Sequence, residues 1–257
     1  MERRTRNVKP FTRLALCVCL SIPAVGCVYG RLNRFRNQLS AFPDHFRVET
    51  GERPTVRALS PVLRFDDWGW LTGLPASETV KDGENSSEIY RFGKQAGKDP
   101  DERPGEFDLI LILQFNARGR LELFQAPARF ATILTEENFD KVFRPMKDGS
   151  VDSARRATGW TWEDHQVNIP SRADILHFFG KPSETENGSD GTVYRYAYRL
   201  EGGERQWNPT GWDAYAAFTF DPETDQVINV KAYKGRMRIS VDMRGNENVA
   251  EIERLGK

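Results

Sequence analysis

Two stretches of the chain read alike. Leu71-Thr-Gly-Leu-Pro-Ala-Ser-Glu-Thr79, followed by Glu88-Ile-Tyr-Arg-Phe92, reappears as Phe178-Phe-Gly-Lys-Pro-Ser-Glu-Thr185, followed by Thr192-Val-Tyr-Arg-Tyr196. Gly73 and Gly180 are 107 residues apart, and Tyr90 and Tyr194 are 104 apart. The likeness continues downstream. An apolar run from Phe107 to Phe115 reaches a turn at Asn116-Ala-Arg-Gly119 and returns through Leu121 to Phe124; its partner runs from Tyr215 to Phe220, turns at Asp221-Pro-Glu-Thr-Asp225 and returns through Val227 to Val230. Each copy reads as a short helix stopped by Gly-x-Pro, a polar loop, a strand opening with Tyr-Arg-aromatic, and a strand hairpin. The expected fold is α+β, with two tandem repeats, each a short helical segment packed on an antiparallel β-sheet.

The second copy carries the clearer local physics. Ser171 with Asp174 three residues on is a capping box, satisfying orphan N–H groups at a helix start. Ile175, Leu176, Phe178 and Phe179 supply an apolar face. Gly180 can take the positive φ that ends the helix, and Pro182 cannot extend it. Alternation from Val193 to Leu200 places Tyr194, Tyr196, Tyr198 and Leu200 on one side, toward that helix. In the first copy the helix is expected over Phe65 to Thr72, with Trp68 and Leu71 inward. The repeats are expected over 51–134 and 170–257. Residues 135–169 join them, with a helix over Thr135 to Val142 and a polar linker over Lys147 to Thr158.

The 257 residues include 37 basic and 37 acidic side chains, and 39% are apolar. That suits a globular chain and leaves no charge excess with which to grip a nucleic-acid backbone. The charge is unevenly spread. Arg3, Arg4, Arg6, Lys9 and Arg13 face one acid, Glu2, and Leu14 to Gly30 then carries no charge. A basic start followed by a short apolar run is a signal-peptide layout, and seventeen uncharged residues fall short of the roughly 20 that a spanning helix needs. Ala24-Val25-Gly26-Cys27 resembles the lipobox of bacterial lipoproteins, with Ala24 in place of the usual Leu. The resemblance implies cleavage after residue 26 and acylation of Cys27, whose chains would hold the protein on a bilayer. Val28, rather than Asp, after the cysteine implies export to the outer membrane, facing the periplasm. Cys17 and Cys19 would leave with the leader, so Cys27 would have a lipid-attachment role and no disulfide partner.

Beyond Cys27, over 27–50, Leu32, Phe35, Leu39, Phe42 and Phe46 recur at spacings of 3 and 4. They form one apolar stripe of an amphipathic helix that Pro43 should end or kink near Ala41. Such a stripe serves a membrane-proximal arm or covers the protein's own core, the latter being the commoner arrangement.

The order of short helix, Gly-x-Pro, polar loop, Tyr-x-Tyr and hairpin, best seen over Ser171 to Leu200, resembles the SmpA/OmlA lipoprotein domain. In tandem it is similar to the β-lactamase-inhibitor-protein architecture. The resemblance implies a non-enzymatic, lipid-anchored periplasmic module that binds an envelope protein. The single-domain lipoproteins lack a second copy, and the inhibitors carry disulfides that this chain cannot form, so no partner-binding residue transfers.

No catalytic constellation is legible, and neither a metal nor a cofactor is expected. None of His45, His165 and His177 lies within a few residues of another, so a His-based zinc site with local spacing is absent. His177 is expected partly buried with one hydrogen-bond partner, and Glu163-Asp-His165 reads as a solvated loop beside Trp160 and Trp162. Asp221 to Asp225 lacks the spacing of a calcium loop and reads as a hairpin turn. Trp207-Asn-Pro-Thr-Gly-Trp212 places two aromatic rings on a loop, and Trp207 and Trp212 are the candidate partner-binding residues. The alternatives are a glycan hydrolase or glycan-binding protein using acids near that loop, and an inhibitor of a secreted enzyme.

Overall fold

A computed structural model describes residues 28–49, 51–95, 97, 102–103, 105–152, 156–161, 169–189, 191–202 and 212–243. Helix α1 covers 28–40, and a one-turn helix α2 (Phe42–His45) leads into β1 (Phe46–Glu49) and β2 (Thr55–Ala58). Then come α3 (Phe65–Thr72), β3 (Glu78–Asp82), β4 (Asn85–Lys94), β5 (Leu109–Phe115) and β6 (Leu121–Gln125). After α4 (Glu136–Phe143) follow β7 (Ser150–Asp152), β8 (Ala157–Thr161), α5 (Arg172–Phe179), β9 (Glu184–Gly188), β10 (Gly191–Leu200), β11 (Ala214–Phe220), β12 (Val227–Lys234) and β13 (Met237–Asp242). The chain is α+β.

The strands form one mostly antiparallel sheet in the order β1-β2-β6-β5-β4-β10-β11-β12-β13-β8-β7, with β3 on β4 and β9 on β10. Among the described strands, only β13 and β8 run parallel. The order helix, then four antiparallel strands, occurs over 65–125 and again over 172–234. These halves meet where Tyr198, Arg199 and Leu200 pair with Lys94, Gly93 and Phe92. Local bonds correspond across that junction. Ser77 N–H donates to Ile89 and Ser183 N–H to Arg195; Arg91 N–H donates to Ser77 Oγ and Ala197 N–H to Ser183 Oγ. Both β5 and β11 shift register one residue before their last.

These pairs align β4 with β10 at a separation of 106 residues. Tyr90 therefore corresponds to Tyr196, and Tyr194 to Glu88, which corrects the separation of 104 suggested by the tyrosines. Residues 147–158 are also not only a linker, because they contain β7 and the start of β8, which complete the far edge of the sheet. Ser150-Val-Asp and Ala157-Thr-Gly are too polar to read as strands, and β8 is held by a parallel partner some eighty residues away.

Helices α3 and α5 lie against one face of the sheet. Tyr90, Phe92, Leu113, Phe115, Tyr196, Tyr198, Leu200, Phe218 and Phe220 are buried there with Ile175, while Trp68 and Phe179 pack on them. The expected face of β10 is thus present, with Phe179 5.2 Å from the Tyr196 ring. In α3 the buried residues are Asp67 and Thr72, and Leu71 is half-buried. In α5, Leu176 and His177 point outward, against the expectation that Leu176 joins the apolar face and that His177 is partly buried. Ile175 and Phe179 pack on the sheet and Phe178 is buried beside Ala126 and Phe130, which leaves Leu176 and His177 on the outer side of this eight-residue helix.

The capping box of Ser171 and Asp174 forms, and Asp221 Oδ1 accepts from Glu223 and Thr224 N–H in the expected hairpin turn. The helix breaks at Ala41, where an end or kink was expected, with Pro43 in the first turn of α2, and Phe46 leaves the expected stripe to start β1. Ring contacts at 4.9 Å for Phe46–Phe42 and Phe42–Phe139, 5.6 Å for Phe139–Phe143 and 6.0 Å for Phe143–Trp160 run from β1 through α2 and α4 to β8. Aromatic packing, not a strand ladder, bridges the two ends of the strand path.

Each helix end is held by the opposite half. Thr72 O, at the end of α3, accepts from Arg236 N–H at 2.8 Å, in the turn between β12 and β13. Gly235 has φ +56° there, and a Cβ would lie 1.9 Å from Thr72 O, so the approach admits only glycine. Reciprocally, Phe178 O near the end of α5 accepts from Arg129 Nε at 2.7 Å, in the turn after β6. Arg129 and the Gly235–Arg236 turn thus do the same job for opposite helices.

Candidate functional site

A cleft of about 580 Å³ opens beside α5, lined by Glu52 and Arg53, residues 105–108, Ile110, residues 127–129, Leu176 and His177. Its floor is built around Arg129. The guanidinium donates to the carbonyls of Phe178 (2.7 Å), Asp108 (2.9 Å), Phe107 (3.0 Å) and Glu106 (3.3 Å), and lies 4.9 Å from the Phe130 ring. Burial pushes its pKa down, opposed by Tyr198, Asp108 and Glu106. A planar fork with five donors can serve four carbonyls at once, one more than the three donors of an ammonium.

Behind the floor, Lys94 Nζ lies 3.2 Å from Glu102 Oε2, both side chains buried, 3.2 Å from Gly97 O and 4.8 Å from the Phe107 ring centroid. Asp108 Oδ1 accepts from Lys94 N–H, and Glu106 Oε2 accepts from Arg103 N–H. Gly180 closes the same corner with φ +68°, where a Cβ would meet Phe107 at 2.7 Å and Lys94 Nζ at 2.8 Å. Tyr196 donates its hydroxyl proton to Gly180 O, and the Tyr198 hydroxyl is buried without a partner among the described residues. Burial raises the pKa of both phenols. Asp108 and Arg129 are engaged by backbone, and the exposed members of the lining are Glu52, Gly105, Glu106, Ala128, Leu176 and His177.

Arg129→Met should lower the unfolding free energy by about 2 kcal/mol, because buried carbonyls lose charge-assisted donors. Arg129→Lys should recover less than half, since one ammonium cannot reach four carbonyls. A urea midpoint unchanged in Arg129→Met would contradict this role for the floor.

Cys27 and Trp207 lie outside the described residues, as do Glu163-Asp-His165 and Trp162. Trp212 is half-buried just before β11, with the Arg199 guanidinium 5.6 Å from its ring. Trp160, read beside a solvated loop, is buried on β8 and donates Nε1–H to Val142 O at 2.7 Å. The cleft was not legible because four separated segments make it, and only the outward Leu176 and His177 break an apolar run. Among the described residues, no group of three His, Cys, Asp or Glu could hold a metal ion, and no helix is long and apolar enough to cross a membrane. Comparison with family models, with curated proteins and with solved structures found no match.

Proposed function

We propose that the chain is a bacterial cell-envelope lipoprotein, acylated at Cys27 and sorted to the outer membrane facing the periplasm, whose folded part binds an envelope protein without catalysing a reaction. The observation that carries the anchor is the order of five basic residues, an uncharged run and Ala24-Val-Gly-Cys27. A cleft whose floor charges are engaged by backbone supports a binding role. The paired local bonds across the β4–β10 junction support reading the two halves as divergent tandem copies, of which only the second has Leu176 and His177 at an opening.

Intact mass and detergent partitioning of the native protein, beside Cys27→Ala, test the anchor. Acyl mass and membrane partitioning are expected, and both should disappear in the variant. A photo-crosslinking residue at 176 tests the cleft in intact cells. A discrete adduct with one envelope protein is expected, and its absence from both 176 and 177 would remove the cleft as the docking site.

A further inference from the structure

The start of α1 is fastened to the body by chemistry that resists release. Arg31 donates from Nη2 and Nε to both carboxylate oxygens of the buried Asp67 in α3, at 2.6 and 2.7 Å. Arg36, farther along α1, donates to the carbonyls of Met146, Lys147 and Gly149. Beside the first turn of α1, the Tyr29 and Trp70 rings meet edge to face at 5.5 Å. The Arg156 guanidinium lies 4.3 Å from the Trp70 ring, held there by a residue with φ +51°, a conformation that side chains other than glycine seldom adopt. Arg236 is close enough to repel it, and among the described residues no carboxylate pairs with either arginine. Tyr29, Gly69 and Arg236 are exposed around this group.

We infer that Tyr29, Trp70, Arg156 and Arg236 form a membrane-docking patch that contacts the phosphate headgroups of the leaflet holding the acyl chains of Cys27. The inference rests on the lipoprotein reading above. Cys27 directly precedes Val28, the first described residue of α1. No linker separates anchor from clamp, and the patch beside the first turn is the part of the folded body brought to the bilayer surface. Tyrosine and tryptophan are the residues that settle at headgroup level, and two neighbouring arginines with no acid partner among the described residues suit phosphate. The chain beyond Cys27 has 36 acidic and 32 basic residues, so the attraction is local and orients the molecule instead of recruiting it.

A Cβ at Gly69, and likewise at Gly51, would meet no atom within 4 Å. Cysteines introduced there in the acylated protein, where Cys27 is blocked and Cys17 and Cys19 are gone, can carry an environment-sensitive fluorophore. On vesicles of phosphatidylethanolamine and phosphatidylglycerol, the fluorophore at 69 should shift to the blue and be reduced by dithionite more slowly than at 51. Arg156→Asn, which tolerates the positive φ, and Arg236→Gln should each lower the ratio of docked to free molecules about fivefold. Equal reduction at 69 and 51 in a protein whose mass shows acyl chains would overturn the patch alone. An unmodified Cys27 would overturn the anchor and the patch with it.

Discussion

Arg31→Met is expected to destabilise the fold by about 3–5 kcal/mol, the cost of leaving a buried charge without its partner. Asp67 is fully buried, and beyond Arg31 its carboxylate accepts only from Arg64 N–H among the contacts described, at 2.9 Å. Arg31 is 23% exposed, so the reverse change, Asp67→Asn, should cost less: the guanidinium can turn to water and the amide oxygen can still accept from Arg64. The double variant should recover at least half of the Arg31→Met loss, because no charge is then stranded. Urea unfolding of the four proteins completes the cycle. A loss below about 1 kcal/mol for Arg31→Met would mean that water already reaches Asp67. Trypsin offers a second reading, since a released α1 exposes Arg34 and Arg36 to cleavage.

Lys234→Met should stabilise the protein by about 3 kcal/mol at pH 6 and by almost nothing above pH 10.5, the usual lysine value. Lys234 Nζ is buried without a hydrogen-bond partner, 3.9 Å from the Tyr90 ring centroid, 4.5 Å from that of Trp68 and 5.3 Å from that of Phe92. Burial lowers its pKa to about 7. Below that value both folded and unfolded chains hold the proton, and the folded state bears the whole cost of an ammonium removed from water. As pH rises from about 7 toward 10.5, the folded state has released the proton and the unfolded chain has not, so stability climbs. A shift of that size corresponds to roughly 5 kcal/mol, reduced by the roughly 2 kcal/mol that three rings can return to the cation. The Tyr90 hydroxyl, pushed up to about 12 by burial, stays neutral through this window. Comparing wild type with variant at each pH removes the contribution of every other group. A variant less stable than wild type at pH 6 would show that the rings outweigh desolvation.

The local elements were legible because the residues that make them are adjacent. Phe65–Thr72 and Arg172–Phe179 are bounded by a cap and by Gly-x-Pro, and the strand hairpins by Asn116-Ala-Arg-Gly119 and Asp221–Asp225. The register between the halves was not legible for a specific reason. Tyr194, Tyr196 and Tyr198 alternate on one face, so a slip of two residues leaves every aromatic ring facing the same way and cannot be detected from pattern alone. The join of β4 to β10, the entry of β7 and β8 into the sheet, and the cleft all depend on contacts between segments far apart in sequence, for which no local residue pattern exists. Lys234 carries the same lesson in reverse: a lysine at a strand end reads as solvent-facing until three rings from the other half close over it.

The exchange of helix caps at Thr72 and Phe178 has a consequence for how the chain can be divided. A fragment ending before β7 would keep Arg129 but lose the carbonyl it holds, and would leave α3 without the turn at Gly235 and Arg236. A fragment beginning there would suffer the mirror-image loss, and each would bare the strand edge at β4 or β10 where they now pair. Expressed alone, neither piece has a reason to stay folded; expressed together, each is the template the other lacks, so complementation in trans is the form in which a split chain would survive.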